Sequence, residues 1–209
     1  MSQYRFNWKS VAITIVLAAA LWFATFYLQW GVFWFKISIS ALVLAALSLA
    51  LQPAVFRFTL DWRSICIGIL SAVVLYLIFW AAKAVSTAIF PFAADQIGAI
   101  YGKGEGTSTW IIAALLFFVT GPCEEIYWRG YLQRQLMVRF GGPAGWILAT
   151  ALYAGVHVWS GNFMLIGAAG VAGAFWGLMY WRFADISPVI ISHAVWSTFI
   201  FAVGTFIKL

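Results

Sequence analysis

Between Ser64 and Phe90 the chain offers one charged side chain, Lys83, in a run otherwise built from apolar and small residues. A bilayer core about 30 Å thick is crossed by roughly 20 apolar residues in a helix, and this run is longer than that. Further apolar runs cover Val11–Gln29, Val32–Leu51, Ala144–Trp159, Phe163–Trp181 and Pro188–Ile207, and one more starts at Thr109 and reaches the basic end Arg134–Arg139. Only lipid can solvate so many of them. Of 209 residues 65% are hydrophobic and 9% are charged, against roughly 25% charged in soluble domains. A soluble fold of this size leaves too much surface exposed to hide the excess.

The expected fold is therefore an all-α bundle of about seven membrane spans in one domain, residues 1–209. Residues 91–108 hold four glycines and form the most polar segment. Their composition is that of a loop with room for a short interfacial helix, and an eighth span results if they enter the membrane. Ser108 or Thr107 can cap the fourth span. Gly141-Gly142-Pro143 ends it. Arg5 and Lys9 precede the first apolar run as they would in a signal peptide. That run continues to Trp30, too long for a cleavable core, so a first span is expected.

The net charge of +6 does not make a nucleic-acid binder, because the twelve basic residues are scattered between apolar runs without forming a dense patch. Their distribution follows the positive-inside rule. With seven spans, Arg5, Lys9, Arg57, Arg63, Arg134, Arg139 and Arg182 fall on one side, and Lys103 and Lys208 on the other. An N-terminus in the cytoplasm follows, and the short chain suggests a prokaryotic inner membrane. Cys66 and Cys123 lie within apolar runs and read as small buried hydrophobes. Gly167, Gly170, Gly173 and Gly177 share one face of the sixth span and read as a helix-packing stripe.

Chemistry is concentrated on spans four, five and seven. Two of six acidic residues, Glu124 and Glu125, and both histidines, His157 and His193, lie inside spans. Each ionisable group at membrane depth costs about 2.5–3.5 kcal/mol on insertion scales, so four of them imply one polar cavity between these three spans. Glu125 and Arg129 stand four apart on a helix and can pair, which offsets the desolvation of both. Glu124 has Tyr127 and Trp128 at i+3 and i+4 and so no local cation. That leaves it as the general base, with His157 as the partner that shares a proton. His193 and Ser197, also four apart, can both donate to a developing oxyanion. The pair Glu124 and His157 is expected at inner to middle membrane depth.

These residues resemble the CPBP family, the CAAX-protease and bacteriocin-processing (Abi) glutamic intramembrane proteases. GPCEEIYWRG matches its EExxxR motif, Tyr153-x-x-x-His157 is similar to Phe-x-x-x-His, and His193-x-x-x-Ser197 is similar to His-x-x-x-Asn. The resemblance covers Thr109 to Ser197, so residues 109–209 form the motif-bearing half and 1–108 a divergent one. It implies an endopeptidase cutting membrane-associated proteins or peptides near their C-termini, without a metal or other cofactor. In that scheme Glu124 and His157 activate water, His193 and Ser197 form the oxyanion hole, and Glu125 with Arg129 supports them. Tyr for Phe at 153 adds a hydroxyl that needs a partner, and Ser for Asn at 197 shortens a donor. Alternatives are a metal-dependent membrane peptidase, a Cys123 nucleophile, and a non-catalytic scaffold or immunity-type protein of the same fold.

Overall fold

The computed structural model describes residues 6–52 and 58–203. Arg5, Pro53, Arg57, Lys208 and the end of the seventh span at Ile207 lie outside them. Among the described residues every regular element is helical: α1 (Trp8–Phe26), α2 (Phe33–Leu51), α3 (Trp62–Ile89), α4 (Ala93–Tyr101), α5 (Thr109–Phe140), α6 (Gly142–Val156), α7 (Phe163–Phe183) and α8 (Ser187–Thr198). The chain is an all-α bundle. The seven apolar runs are all helices, and α1, α2, α3, α5 and α7 are long and apolar enough to cross a membrane. The remaining two, α6 and α8, are shorter. Residues 91–108 supply only the short α4 and a 3-10 turn at Gly102–Gly104.

Polar residues at the span edges set where the helices begin. Asn7 caps α1, its side chain accepting from the backbone N–H groups of Lys9 and Ser10, so the helix starts at Trp8, three residues ahead of the expected run at Val11. Asp61 caps α3 through Ser64 N–H at 2.7 Å, and that bond holds its exposed carboxyl below the ordinary carboxylate range. Asn162 caps α7 through Leu165 N–H at 2.9 Å. Ser108 occupies the cap position of α5, but its side chain makes no capping bond. Between α5 and α6 the chain turns at Gly141, whose φ of +86° favours glycine.

The helices meet in antiparallel order, which gives the bundle two distinct ends. At one end Trp8 packs edge-on against Phe140 at 5.9 Å, and Thr59 N–H donates to Ser187 Oγ at 2.9 Å. At the other, Lys36 Nζ donates to Leu28 O at 2.7 Å, while Asn162 Nδ2 donates to Gln96 O at 2.7 Å. Two large apolar clusters fill the interior. One joins α1, α2, α5 and α6 around Trp22 and Trp128; the other joins α3, α7 and α8 around Leu75, Trp176 and Val189. Arg129 lies between them, over Tyr153 of the first and Trp176 of the second.

Candidate active site

Pro122 stands in the interior of α5, where it has no N–H to donate and its ring crowds the carbonyl four residues back. The helix widens to π geometry just before it, at Leu116–Thr120, and again after the glutamates, at Ile126–Gln133. Such stretches concentrate at functional sites. The short α-helical turn between them, Gly121–Glu125, carries the two glutamates, and neighbouring positions on it point to different helices. Glu124 Oε2 accepts from the Tyr153 hydroxyl of α6 at 2.9 Å. Glu125 Oε1 accepts from Arg129 Nη1 at 3.0 Å and from His193 Nδ1 of α8 at 2.7 Å.

Gly121 explains how α8 comes so near. A Cβ on it would lie 3.1 Å from the Cα and N of Ala194 and 3.0 Å from Leu116 O. The bare backbone therefore lets Ala194, and with it His193, press against α5. His193 is clamped on its ring face as well: Trp176 of α7 stacks on it with centroids 3.9 Å apart and planes 15° from parallel. Trp176 Nε1 is held in turn by Ser192 Oγ at 3.1 Å. Arg129 lies over the rings of Tyr153 at 4.7 Å and Trp176 at 5.6 Å. Its Nη2 donates to Gly173 O at 3.2 Å, and one turn on Gln133 Nε2 donates to Gly177 O at 2.7 Å. The glycine stripe of α7 thus packs closely at Gly173 and Gly177 and exposes two carbonyls to side-chain donors on α5. A Cβ on Gly167 would meet no atom within 4 Å, and one on Gly170 would make only an ordinary contact with Ala154.

His157 begins the 3-10 turn that ends α6. Its Nδ1 lies 2.7 Å from Tyr153 O, and Trp22 Nε1 of α1 donates to its Nε2 at 3.3 Å. A carbonyl only accepts and an indole N–H only donates. The two partners therefore assign a neutral imidazole with its proton on Nδ1. Tyr153 touches both halves of the expected water-activating pair, binding Glu124 with its hydroxyl and His157 with its carbonyl. The expected cluster is brought together around it, with Glu124, His157 and His193 each 6–7% exposed while Glu125 is fully buried at 0%. Ser197 is buried in the same region, and its hydroxyl donates to His193 O at 2.8 Å.

Two contributors escaped the sequence reading. Trp22 and Trp176 sit in apolar runs where an aromatic signals nothing beyond core or lipid contact, and only the fold shows them gripping the two histidines. Cys123, beside Glu124 in sequence, packs with Ala41 and Ala45 of α2. Among the described residues no three His, Cys, Asp or Glu side chains gather closely enough to hold a metal ion.

A family model described as Rce1-like, type II CAAX prenyl endopeptidase, matches residues 106–199. Searches of the curated proteins and of the solved structures returned no match. The matched segment contains Glu124, Glu125, Arg129, His157, His193 and Ser197 and excludes Trp22. On a helical membrane bundle, that segment is similar to the CPBP, or Abi, family of membrane endopeptidases.

Proposed function

We propose that the protein is a glutamic-type intramembrane endopeptidase that hydrolyses a peptide bond near the C-terminus of a membrane-associated protein or peptide. The observation that carries this reading is the split between adjacent glutamates. Glu125 is spent on two donors in full burial, the Arg129 guanidinium and His193 Nδ1–H, whereas Glu124 has one donor, the Tyr153 hydroxyl, and keeps some accessible surface. A carboxylate in that state can take a proton from water. The water oxygen attacks the scissile carbonyl carbon, Glu124 holds the proton, and the carbonyl oxygen becomes an oxyanion. Collapse breaks the C–N bond as Glu124 passes the proton to the departing amine. His157 joins by exchanging its Trp22 bond for one to the water.

The oxyanion is received by His193. Its Nδ1–H is committed to Glu125, so its Nε2 can donate only when the ring is an imidazolium. Glu124, Glu125, Arg129 and His193 then form a set whose charges cancel, which lowers the cost of holding them away from water. Ser197 contributes by turning its hydroxyl from His193 O to the oxyanion. The protein resides in a prokaryotic cell membrane with its N-terminus on the cytoplasmic side, and residues 109–209 carry the chemistry on a scaffold completed by 1–108. A second reading, a non-catalytic member of the same fold, is favoured by one observation: Ser197 spends its hydrogen on its own helix.

The test compares two amide variants of the protein reconstituted in lipid, with mass-spectrometric comparison of membrane-protein C-termini as the readout. Glu124→Gln should abolish cleavage and leave a monodisperse, folded protein, since Tyr153 can still donate to the amide oxygen. Glu125→Gln should instead destabilise the fold by about 3–5 kcal/mol, because it strips a buried guanidinium of its partner. Cleavage by the wild-type protein should survive a strong chelator. Near-normal turnover by Glu124→Gln would refute the base assignment, and stoichiometric zinc lost in step with activity would move the reading to a metallopeptidase.

A further inference from the structure

The second nitrogen of His157 is already taken. With its proton on Nδ1 and shared with Tyr153 O at 2.7 Å, the ring keeps one lone pair, on Nε2, and Trp22 Nε1 donates to it at 3.3 Å. A neutral imidazole has no other acceptor. The indole and a water molecule therefore compete for the same lone pair, and while Trp22 holds it, His157 takes no proton from water. The bond is longer than the usual range of about 2.7–3.2 Å for N–H donors, which suits exchange. The indole itself is packed in place. It is 0% exposed and meets Trp128 of α5 edge-on with centroids 5.7 Å apart.

The helix that carries this indole is tied to another neighbour. Thr25 Oγ1 of α1 lies 3.0 Å from Ser40 Oγ of α2, and Lys36 of α2 donates to Ala24 O within α1 and Leu28 O just beyond it. Toward α6 and the turn that closes it, α1 presents rings: Phe23 lies 5.1 Å from Trp159, and Phe26 lies 5.5 Å from His157. Among the described residues the Trp22 bond is the one hydrogen bond across that seam. We propose that Trp22 is a positioning residue that latches His157 out of reaction in the resting protein, and that the site becomes competent when α1 yields Nε2 to water. The proposal rests on the peptidase reading for its reaction. It places control of the site in α1, outside the segment 106–199 that matches the family model.

The test removes the donor and keeps the ring. In the full-length protein in phosphatidylcholine nanodiscs, Trp22 is replaced by β-(3-benzothienyl)alanine, whose sulfur stands where the indole N–H was. Trp22→Phe serves as a second donor-free variant. The chain has two histidines, so nitrogen-15 spectra of labelled imidazoles separate His157 from His193. Loss of the donor should move the His157 Nε2 signal downfield while Nδ1 keeps its proton. Diethyl pyrocarbonate, which acylates a free imidazole lone pair, should modify His157 faster in both variants, with His193 as the reference site. With a peptide copied from a C-terminus that the wild-type protein cuts, kcat/KM should rise roughly fivefold, the fold-change of one neutral hydrogen bond. A benzothienyl variant that folds and cuts no faster than the parent overturns the latch and leaves Trp22 as a support of the site. An unmoved Nε2 signal or unchanged acylation overturns it equally. If the wild-type protein cuts nothing, the peptidase reading falls by itself and acylation decides the latch: faster in the variants keeps it, and equal rates end it.

Discussion

Tyr153 and Ser197, the two places where the motifs depart from the family pattern, behave differently at atomic detail. The added hydroxyl of Tyr153 finds Glu124 at 2.9 Å, so the change from Phe supplies that carboxylate with a hydrogen bond. Ser197, with a side chain too short to leave its own helix, bonds back to His193 O, as serines within helices commonly do. If its hydroxyl turns to the oxyanion in the reaction, Ser197→Ala should lower kcat by up to about 10²-fold. KM should stay nearly constant, because the contact strengthens only in the transition state. Ser197→Asn should match or exceed the parent, since an amide offers two donors and reaches further. An unchanged kcat in Ser197→Ala would remove the residue from the mechanism. The pair Glu125–Arg129 was legible in the sequence because both partners lie on one helix at i and i+4. The bond from His193 to the same oxygen was not, because no spacing rule connects α5 to α8.

At the level of elements, apolar runs located the helices to within a few residues, and the polar caps account for the shifts at α1 and α3. The interior of α5 was less legible. A wheel drawn at 3.6 residues per turn places Glu124 and Glu125 about 100° apart, but it takes no account of the π stretches on either side, which alter which neighbour each position meets. The approach of α8 to α5 was hidden in a single glycine that formed no part of the recognised stripe. Gly121→Val therefore makes a specific test of the packing. Its branched side chain must push Ala194 away, at a cost of about 1–3 kcal/mol for overpacking, and that shift separates His193 from Glu125. Both the thermal midpoint in detergent and turnover should fall. A variant as stable and as active as the parent would mean that the contact has no bearing on the site.

Seen across the whole molecule, the basic residues divide unevenly between the two ends, and His157 lies toward the less basic one. Lys9, Arg63, Arg134, Arg139 and Arg182 gather where Trp8 meets Phe140, and Arg5 and Arg57 of the same expected set are outside the described residues. His157 lies with Phe26, toward Lys36 and Lys103. An N-terminus-inside orientation therefore places His157 in the outer half of the membrane, which does not fit the expected inner to middle depth. The two expectations came from separate signals, loop charge and motif position, and only the path of the chain relates them. The same path singles out α6. Its 15 residues rise about 22 Å, short of a bilayer core of about 30 Å, and His157 stands where it gives way to a 3-10 turn. If the bilayer follows the end of α6, lipid beside it thins or tilts, drawing headgroups and water down toward His157 on that flank alone. On the proposed peptidase reading, hydrolysis inside a membrane is limited by water, so turnover becomes a gauge of the local thickness of the host bilayer. Turnover should rise in vesicles of shorter-chain phosphatidylcholine and fall in longer-chain ones. A rate indifferent to chain length would show that water reaches Glu124 by a route the lipid does not control.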